Sequence, residues 1–316
     1  MRVVFLGNAA WSVPSVEALA GSSHPLVSVV TRAPRPAGRG GTLTPTPVSE
    51  AARRLRLPLQ EVETVKSGPG FEALAGSKPD VLVVVAYGEI LPKAVLAIPR
   101  VAPVNLHFSL LPQLRGAAPV QKAILDGLAV TGVTTIRMDE GMDTGPMLLQ
   151  AEEPIGPDDD AGLLGARLAT LGARVLVESL DRLEAGTVEE RPQDESRATY
   201  APKLRPADEF IDWNQPSEQI ERRIRALSPI PGARASFRGK VMKVHRASGN
   251  VWGSLPPGES GSWPPGRIFV ADDGGFGVMT GEGPLKLEEV ALEGRRRMSG
   301  AEFVRGHRPG VGETLG

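Results

Sequence analysis

The stretch DVLVVVA, residues 80–86, constrains the fold more than any other part of the chain. A strand that is apolar on both faces must be covered on both sides, as is typical of a central strand in a parallel sheet. Short apolar runs predict further strands, and segments of helical spacing predict helices between them. The strands are at 2–7, 26–31 and 101–107, and the helices are at 12–22, 47–57, 91–98 and 117–128. This β–α alternation predicts an α/β fold with a doubly wound, mostly parallel sheet.

The pattern changes after Gly132. Residues 132–138 and 146–155 flank the turn DEGMDTG and predict a hairpin or two late strands. Residues 161–186 predict a long amphipathic helix that ends at a glycine. The polar, aperiodic segment that follows predicts a linker. We therefore expect a first domain at 1–189, a linker at 190–208 and a second domain at 209–316.

The second domain has a different pattern from the first. One helix is predicted at 215–229, and short alternating strands follow, separated by the turn sequences DDGG and GEGP. Several short strands in a domain of this size predict a small, OB-like β-barrel.

Composition and charge exclude several classes of function. The chain has no cysteine, which excludes disulfides, thiolate metal sites and a cysteine nucleophile. No apolar run of about 18 residues occurs, so we expect no membrane span. The N-terminal MRVVFLGN leads directly into a strand without a signal or transit pattern, which predicts a cytoplasmic protein. Residues 201–316 carry a net charge of +3 and residues 1–200 one of −4, which favours an anionic partner for the C-terminal half.

The first strand provides no support for a nucleotide site. It ends in GNAAWS, with a single glycine in place of G-x-G-x-x-G. The chain also contains no G-x-x-x-x-G-K-[ST]. Dinucleotide and P-loop functions are therefore not supported.

The stretch VNLHFSLLPQLRGAAPVQ, residues 104–121, carries polar groups where a buried strand ends. Asn105 and His107 lie two residues apart, so their side chains share one face of the strand. Either residue alone would be read as a hydrogen-bonded strand cap. As a pair at the carboxyl end of a parallel strand, they occupy the position where such sheets bind ligands.

Asp143 is a third candidate, in the glycine-flanked turn GMDTG. Taken alone, it is better read as an ordinary turn aspartate. With Asn105 and His107 it would suit direct acyl transfer, because the amide stabilises an oxyanion, the imidazole moves a proton and the carboxylate orients the imidazole. The three include no Ser or Cys nucleophile, and one His and one Asp are too few to bind a metal.

These motifs resemble the folate-dependent formyltransferase superfamily. The resemblance rests on NLHFSLLPQLRGAAPVQKAIL with GMDTGP, and on VVVAYGEILPKAVL at 83–96. Within that superfamily, RPAGRGGTLTPTPV at 35–48, RGAAPVQ and the KL…IDW linker are similar to the methionyl-tRNA formyltransferases, over essentially the whole chain.

The resemblance implies a Rossmann-like formyltransferase fold, 10-formyltetrahydrofolate as formyl donor, initiator methionyl-tRNA as partner, no metal and a monomer. The residues it implies fall into three groups. They are Asn105, His107 and Asp143 for catalysis; Tyr87, Gly88, Ser109, Leu110, Leu111 and Pro112 for folate; and Arg39, Gly40 and Arg205 for tRNA.

The chain departs from the family pattern at two places. Asn8 and Ala9 follow Gly7 where relatives carry GTP, which changes the corner after the first strand. Pro206 stands where the linker usually has a lysine, and Arg205 beside it supplies a charge. Arginines 295–297 suggest RNA contact, although in a strand all three could not share a face. Two alternatives stay open: the same chemistry on a sugar-nucleotide amine, glycinamide ribonucleotide or water, and a non-catalytic RNA-binding relative.

Overall fold

A computed structural model describes residues 1–37, 41–249, 263–271, 274–310 and 312–316. Contacts between residues divide the chain into two units. The first comprises Met1–Pro119, Val130–Pro154 and Gly165–Pro202, and the second comprises Val120–Ala129, Ile155–Leu164 and Lys203–Gly316. Two short segments of the N-terminal half are therefore grouped with the C-terminal residues.

The helices follow the segments in which apolar residues recur at helical spacing. They are α1 (Val13–Ala20), α2 (Pro47–Arg54), α3 (Gly68–Gly76), α4 (Lys93–Leu96), α5 (Pro119–Leu125), α6 (Ala161–Ala185), α7 (Ser217–Leu227) and α8 (Gly300–His307), with 3₁₀ turns at Ala10–Ser12, Glu195–Arg197 and Pro206–Glu209. Helix α4 is shorter than predicted because Pro99 disfavours helical backbone at Ile98. Within the described ranges, none of these helices is long and apolar enough to cross a membrane.

The longer strands of the first unit match the predicted apolar runs, whereas four strands of two or three residues were not predicted. They are β1 (Val3–Gly7), β2 (Leu26–Arg32), β3 (Arg35–Ala37), β4 (Thr42–Thr44), β5 (Leu59–Val62), β6 (Val81–Val85), β7 (Ala102–His107), β8 (Arg115–Gly116), β9 (Val130–Arg137), β10 (Met147–Pro154) and β11 (Tyr200–Ala201). Seven of them form a sheet in the order β10-β9-β7-β6-β1-β2-β5. Its five strands from β7 to β5 are parallel, and β9 and β10 pair antiparallel. The predicted doubly wound, mostly parallel sheet is confirmed, with β6 buried along its whole length.

The strand order reverses between β1 and β6. From β1 the chain moves outward to β2 and β5, then returns to β6 on the other side of β1. Open α/β sheets bind ligands outside the carboxyl ends of the strands at this point. The residues there are Gly7, Val85 and, one strand further along, His107.

The second unit contains the antiparallel strands. They are β12 (Ala233–Phe237), β13 (Lys240–Ser248), β14 (Ile268–Val270), β15 (Phe276–Met279), β16 (Pro284–Leu292) and β17 (Met298–Ser299). The first five form a sheet in the order β12-β13-β16-β15-β14, and β17 pairs with β16.

Residues 313–316 join the two edges of this sheet. Ile268 N donates to Glu313 O at 2.7 Å on one edge, and Gly316 N donates to Ser236 O at 3.0 Å on the other. The predicted barrel is thus closed by an irregular segment that bonds to both β14 and β12.

Helix α8 is a second helix within residues 209–316, for which the sequence predicted only one. Ser299 and Glu302 form a capping box at its start, with Ser299 Oγ accepting from Glu302 N at 3.2 Å. Phe303 on this helix is fully buried, and its ring lies 4.8 Å from that of Phe276 and 5.1 Å from that of Phe237. The Phe303 side chain of helix α8 therefore forms part of the barrel core.

We expect Phe303→Ala to lower the free energy of unfolding of the second unit by about 3–5 kcal/mol, because it leaves a cavity among packed rings. Urea unfolding followed by circular dichroism measures the change. Arg305→Ala, at an exposed position of the same helix, is the control and should stay within about 0.5 kcal/mol of the parent. Equal losses in the two variants would contradict the packing role of Phe303.

Candidate active site

Asn105 and His107 lie at the carboxyl end of β7, between β6 and β9. Alternation along the strand places both side chains on the same face. The imidazole of His107 is 5% exposed, whereas Asn105 is half-buried. Both therefore border the carboxyl edge of the sheet.

Asp143 lies in the connection between β9 and β10 and reaches both of them. Its Oδ1 is 3.4 Å from Asn105 Nδ2, and its Oδ2 is 3.6 Å from His107 Nδ1. Gly116 N donates to the same Oδ2 at 2.8 Å. The three side chains that the sequence suggested are thus brought together, through residues 38 positions apart in the chain.

The hydrogen bonds of His107 define which ring nitrogen is free. Its Nε2 is 2.9 Å from Leu114 O, and because a carbonyl oxygen only accepts, Nε2 carries a hydrogen. Nδ1 is then the nitrogen that faces Asp143 and can exchange a proton with a ligand. The longer contacts of 3.4 and 3.6 Å leave Asn105 and His107 Nδ1 free to hydrogen-bond a substrate.

The segment from Gln193 to Ala201 holds the chain that supports this site. Strand β11 pairs in parallel with β8, and Arg115 N donates to Thr199 O at 2.8 Å. Leu114 N donates to Thr199 Oγ1 at 2.9 Å. Since Leu114 and Gly116 contact His107 and Asp143, this segment fixes the backbone groups that orient both.

Arg115 is buried, and its guanidinium is held by two side chains of the segment from Gln193 to Ala201. Its guanidinium donates to Glu195 at 2.7 and 2.8 Å and to Gln193 Oε1 at 2.7 and 3.0 Å. The hydrogen bond from Arg115 holds the pKa of the Glu195 carboxyl below its ordinary value. Neither Gln193 nor Glu195 could be predicted from the sequence, because no motif or periodicity marks them.

The loop of Ser109 to Pro112 turns most of its side chains inward. Ser109 Oγ donates to Gln113 O at 2.6 Å, and Leu111, Pro112 and Ser109 are buried, whereas Leu110 is half-buried. Gln150 Nε2 donates to Leu111 O at 2.8 Å. A ligand therefore meets the rim of this loop and Leu110 rather than the hydroxyl of Ser109.

Tyr87 and Gly88 follow β6 at the switch point. The Tyr87 ring packs in an apolar cluster with Leu82 and Leu91, and burial raises the pKa of Tyr87 to about 12. Gly88 is exposed, with a φ of 80° that favours glycine. What these two residues offer a ligand is mainly a shaped stretch of backbone.

Asn8 shapes the corner that departs from the family pattern. Its Oδ1 accepts from Thr31 Oγ1 at 2.9 Å and from Arg32 N at 2.8 Å, and its Nδ2 donates to Tyr87 O. The side chain thus ties the carboxyl ends of β1 and β2 to the segment after β6. In this chain, an asparagine organises the turn.

A cavity of about 180 Å³ lies beside Asp143. Its walls are mostly apolar, and its rim carries carboxylates. The lining residues are Glu89, Ile90, Leu91, Ile136, Met138, Asp139, Glu140, Gly141, Met142 and Asp143. A flat heteroaromatic group with amino and amide edges fits such walls and acceptors. Across the described ranges, no group of three or more His, Cys, Asp and Glu side chains is placed to hold a metal ion.

The candidate RNA contacts are only partly visible. Arg39 and Gly40 lie outside the described residues. Arg205 is exposed, and its guanidinium donates to Asp208 at 3.1 and 3.2 Å. That hydrogen bond lowers the pKa of the Asp208 carboxyl. An RNA phosphate would compete with this carboxylate for Arg205.

The arginines at 295–297 do not lie in a strand as the sequence suggested. They occupy the exposed turn between β16 and β17, so alternation does not separate them. Arg297 contacts Glu289 at 3.8 Å. Arg295 and Arg296 are both exposed, so this turn presents positive charge to solvent.

Comparison with protein families gives a match in both halves of the chain. A model of the formyl transferase family matches residues 1–180, and a model of the formyl transferase C-terminal domain matches residues 203–308. The methionyl-tRNA formyltransferase of Solibacter usitatus is 42% identical over 316 residues, which cover 100% of this chain and 99% of the relative. That of Koribacter versatilis is 43% identical over 320 residues, with the same coverage.

Solved structures share the fold at low identity. The methionyl-tRNA formyltransferase of Clostridium thermocellum gives a TM-score of 0.56 at 16% identity, covering 78% of this chain and 93% of that one. HypX of Aquifex aeolicus, in complex with tetrahydrofolic acid, gives 0.64 at 18% identity over 98% of this chain. This chain spans 48% of the length of that HypX chain.

Proposed function

The chain belongs to the methionyl-tRNA formyltransferases within the formyl transferase family, and on this premise we propose that it formylates initiator methionyl-tRNA with 10-formyltetrahydrofolate. The proposal rests on the close approach of Asn105, His107 and Asp143 to one another beside an apolar cavity. In this proposal, residues 1–189 catalyse the transfer, residues 209–316 contact the RNA, and 190–208 link them. The enzyme acts as a cytoplasmic monomer.

The nucleophile is the α-amino group of the esterified methionine. An α-amino group has an ordinary pKa near 8, so the neutral amine is accessible at physiological pH. Its attack on the formyl carbon creates a tetrahedral centre with a negative oxygen. Asn105 Nδ2 donates a hydrogen bond to that oxygen, because its own contact with Asp143 is long enough to give way.

His107 moves the proton that the transfer displaces. The attacking nitrogen loses a hydrogen as the amide forms, and the leaving nitrogen of the folate gains one. Nδ1 can take up the first and return it, while Nε2–H stays bound to Leu114 O. Asp143 holds the ring and balances the charge of the imidazolium. The products are the formamide and tetrahydrofolate, with no net change in protons.

The cavity beside Asp143 fits the pterin end of the folate. Leu91, Ile136 and Met142 contribute apolar walls, and the Asp139 region contributes acceptors for amino groups. Met142 and Ile90 are 56% and 71% exposed, so these apolar side chains are available to a ligand. Apolar walls with few polar groups are typical of small-molecule sites.

An acceptor panel tests the proposal. We expect formyl transfer to charged initiator tRNA and at least about 100-fold lower kcat/KM with charged elongator tRNA, since discrimination of that size corresponds to only about 3 kcal/mol of differential binding. Transfer to a sugar-nucleotide amine or glycinamide ribonucleotide, or hydrolysis alone, would replace the proposed acceptor. Absence of any formyl transfer would favour a non-catalytic RNA-binding protein.

The exposed turn between β16 and β17 provides the RNA-contact test. We expect Arg295→Ala/Arg296→Ala to raise KM for the tRNA about 10-fold. The slope of log KM against log salt concentration should fall by about one to two, because each lost contact with an RNA phosphate releases one counterion fewer. Steady-state kinetics at several salt concentrations measure both. Arg174→Ala, at an exposed position of α6, is the control and should leave KM unchanged. An unaltered salt slope in the double variant would exclude RNA contact by this turn.

A further inference from the structure

We propose that Gln193 is a positioning residue for the transfer, which acts by fixing the loop that carries Asp143. This inference rests on the proposed function for its kinetic test, but its geometric basis is independent of the substrate. Gln193 lies in the segment 190–208, which the sequence predicted to be a linker. It does not line the cavity beside Asp143, so we infer that its effect on the reaction passes through Asp143.

The amide of Gln193 holds the Asp143 turn by two backbone groups. Its Nε2 donates to Asp143 O at 2.7 Å and to Gly145 O at 2.8 Å. Both amide hydrogens are therefore used on one short turn. Asp143 itself has a φ of 56°, in the left-handed region that non-glycine residues rarely adopt. A turn with this conformation needs external contacts to keep a single geometry.

Arg115 sets the orientation of that amide. Gln193 Oε1 accepts from Arg115 Nε at 3.0 Å and from Nη2 at 2.7 Å. Because a guanidinium only donates and a backbone carbonyl only accepts, the amide oxygen must face Arg115 and the nitrogen must face the turn. Gln193 is the uncharged side chain that bridges the buried cation to two carbonyl oxygens.

The contacts form a closed ring around Asp143. Gly116, next to Arg115 in the chain, donates its N–H to Asp143 Oδ2 at 2.8 Å. A side chain is not tolerated at Gly116, because its φ is 121° and a Cβ there would lie 2.6 Å from Ala201 O. The carboxylate is thus held from one side by Gly116 and its backbone from the other by Gln193. The 3.6 Å contact between Asp143 Oδ2 and His107 Nδ1 depends on both.

Two variants test the role. Gln193→Glu keeps an acceptor for Arg115 but sets a carboxylate oxygen against the carbonyls of Asp143 and Gly145, so it removes the two donors and adds a negative charge. Gln193→Met keeps the length of the side chain and removes all its hydrogen bonds. For both we expect kcat to fall about 10-fold, with KM for folate and tRNA within about 2-fold, because small misplacement of a catalytic group lowers the rate rather than binding.

The control is Asp194→Ala, which loosens the same segment without touching the Asp143 turn. Asp194 caps the 3₁₀ turn at Glu195–Arg197 by accepting from Ser196 N at 3.0 Å. We expect its kcat to stay within about 2-fold of the parent. A fall equal to that of the Gln193 variants would show that order in the segment, rather than the amide of Gln193, sets the rate.

Two further readouts separate positioning from a purely structural role. In an Asp143→Asn background, Gln193→Glu should cost less than about 2-fold, since residues that act through one another are not additive. Amide hydrogen exchange in peptides covering 139–147 should accelerate in the Gln193 variants but not in Asp194→Ala. Unchanged kcat or unchanged exchange in both Gln193 variants would overturn the inference. An inactive parent enzyme would instead refute the proposed function, and the exchange result would still decide the role of Gln193.

Discussion

Asp143→Asn should lower kcat by about 10²–10⁴-fold at neutral pH, with KM for both substrates changed by less than about 3-fold. Gly116 N–H lies 2.8 Å from Oδ2, so the single amide oxygen of the new side chain must occupy that position. Its NH₂ then faces Asn105 Nδ2, where two donors oppose each other. The negative charge that balances a protonated His107 is also lost. Steady-state and single-turnover kinetics measure the fall.

The control for this variant is Asp126→Asn. Asp126 pairs with Lys122 on α5, so the substitution removes a carboxylate from a surface ion pair and no contact with the catalytic groups. We expect it to retain parental kcat. Circular dichroism should show that Asp143→Asn keeps the fold. A kcat within about 5-fold of the parent would remove Asp143 from the mechanism.

The sequence predicted the placement of Asn105 and His107 because that placement depends on local rules. Alternation along a strand sets their common face, and the parallel sheet sets the end of the strand at which ligands bind. Both rules operate within a few residues of β7. The apolar run at 80–86 was equally informative, since only a central strand buries all of Val81–Val85.

Local rules of this kind could not predict where Asp143 and Gln193 lie. Asp143 reaches β7 from a turn 38 residues away; its glycine-flanked turn made it a candidate but left its role open, and the family resemblance decided the assignment. Gln193 lies 50 residues beyond Asp143 in a polar segment with no periodicity, which the sequence predicted to be a linker. Its contacts are made by the side chain to backbone oxygens, and such contacts leave no trace in hydrophobic patterning.

Two features of the barrel were not predicted, and the sequence contains a signal for only one of them. Helix α8 was missed although Ser299 and Glu302 spell a capping box ahead of Phe303. The closure by 313–316 had no comparable signal, because these four residues, Glu-Thr-Leu-Gly, show neither strand alternation nor turn chemistry of a fixed type. Closing a sheet is a property of distant edges, and only the three-dimensional structure reveals it.

Asn105→Ala should lower kcat by about 10²–10³-fold while KM stays within about 3-fold of the parent. The reacting oxygen becomes negative only in the transition state, so a donor aimed at it stabilises that state and hardly affects ground-state binding. Asn105 suits this role because its Nδ2 lies 3.4 Å from Asp143 Oδ1, a contact weak enough to yield to an oxyanion.

Asn105→Asp distinguishes the effect of losing the hydrogen-bond donor from the effect of losing the whole side chain. The new carboxylate keeps the size of Asn105 but offers only acceptors beside Asp143, so it should be at least as slow as Asn105→Ala. Folate binding, measured by equilibrium dialysis, should remain near that of the parent for the alanine variant, since the cavity beside Asp143 is not lined by Asn105. If the loss appeared in KM instead of kcat, Asn105 would be a binding residue, and the oxyanion would need another donor. A loss of stability would not obscure either result, because Asn105 is half-buried at the end of β7 and its removal opens no large cavity in the core. The free energy of unfolding of Asn105→Ala should stay within about 1 kcal/mol of the parent.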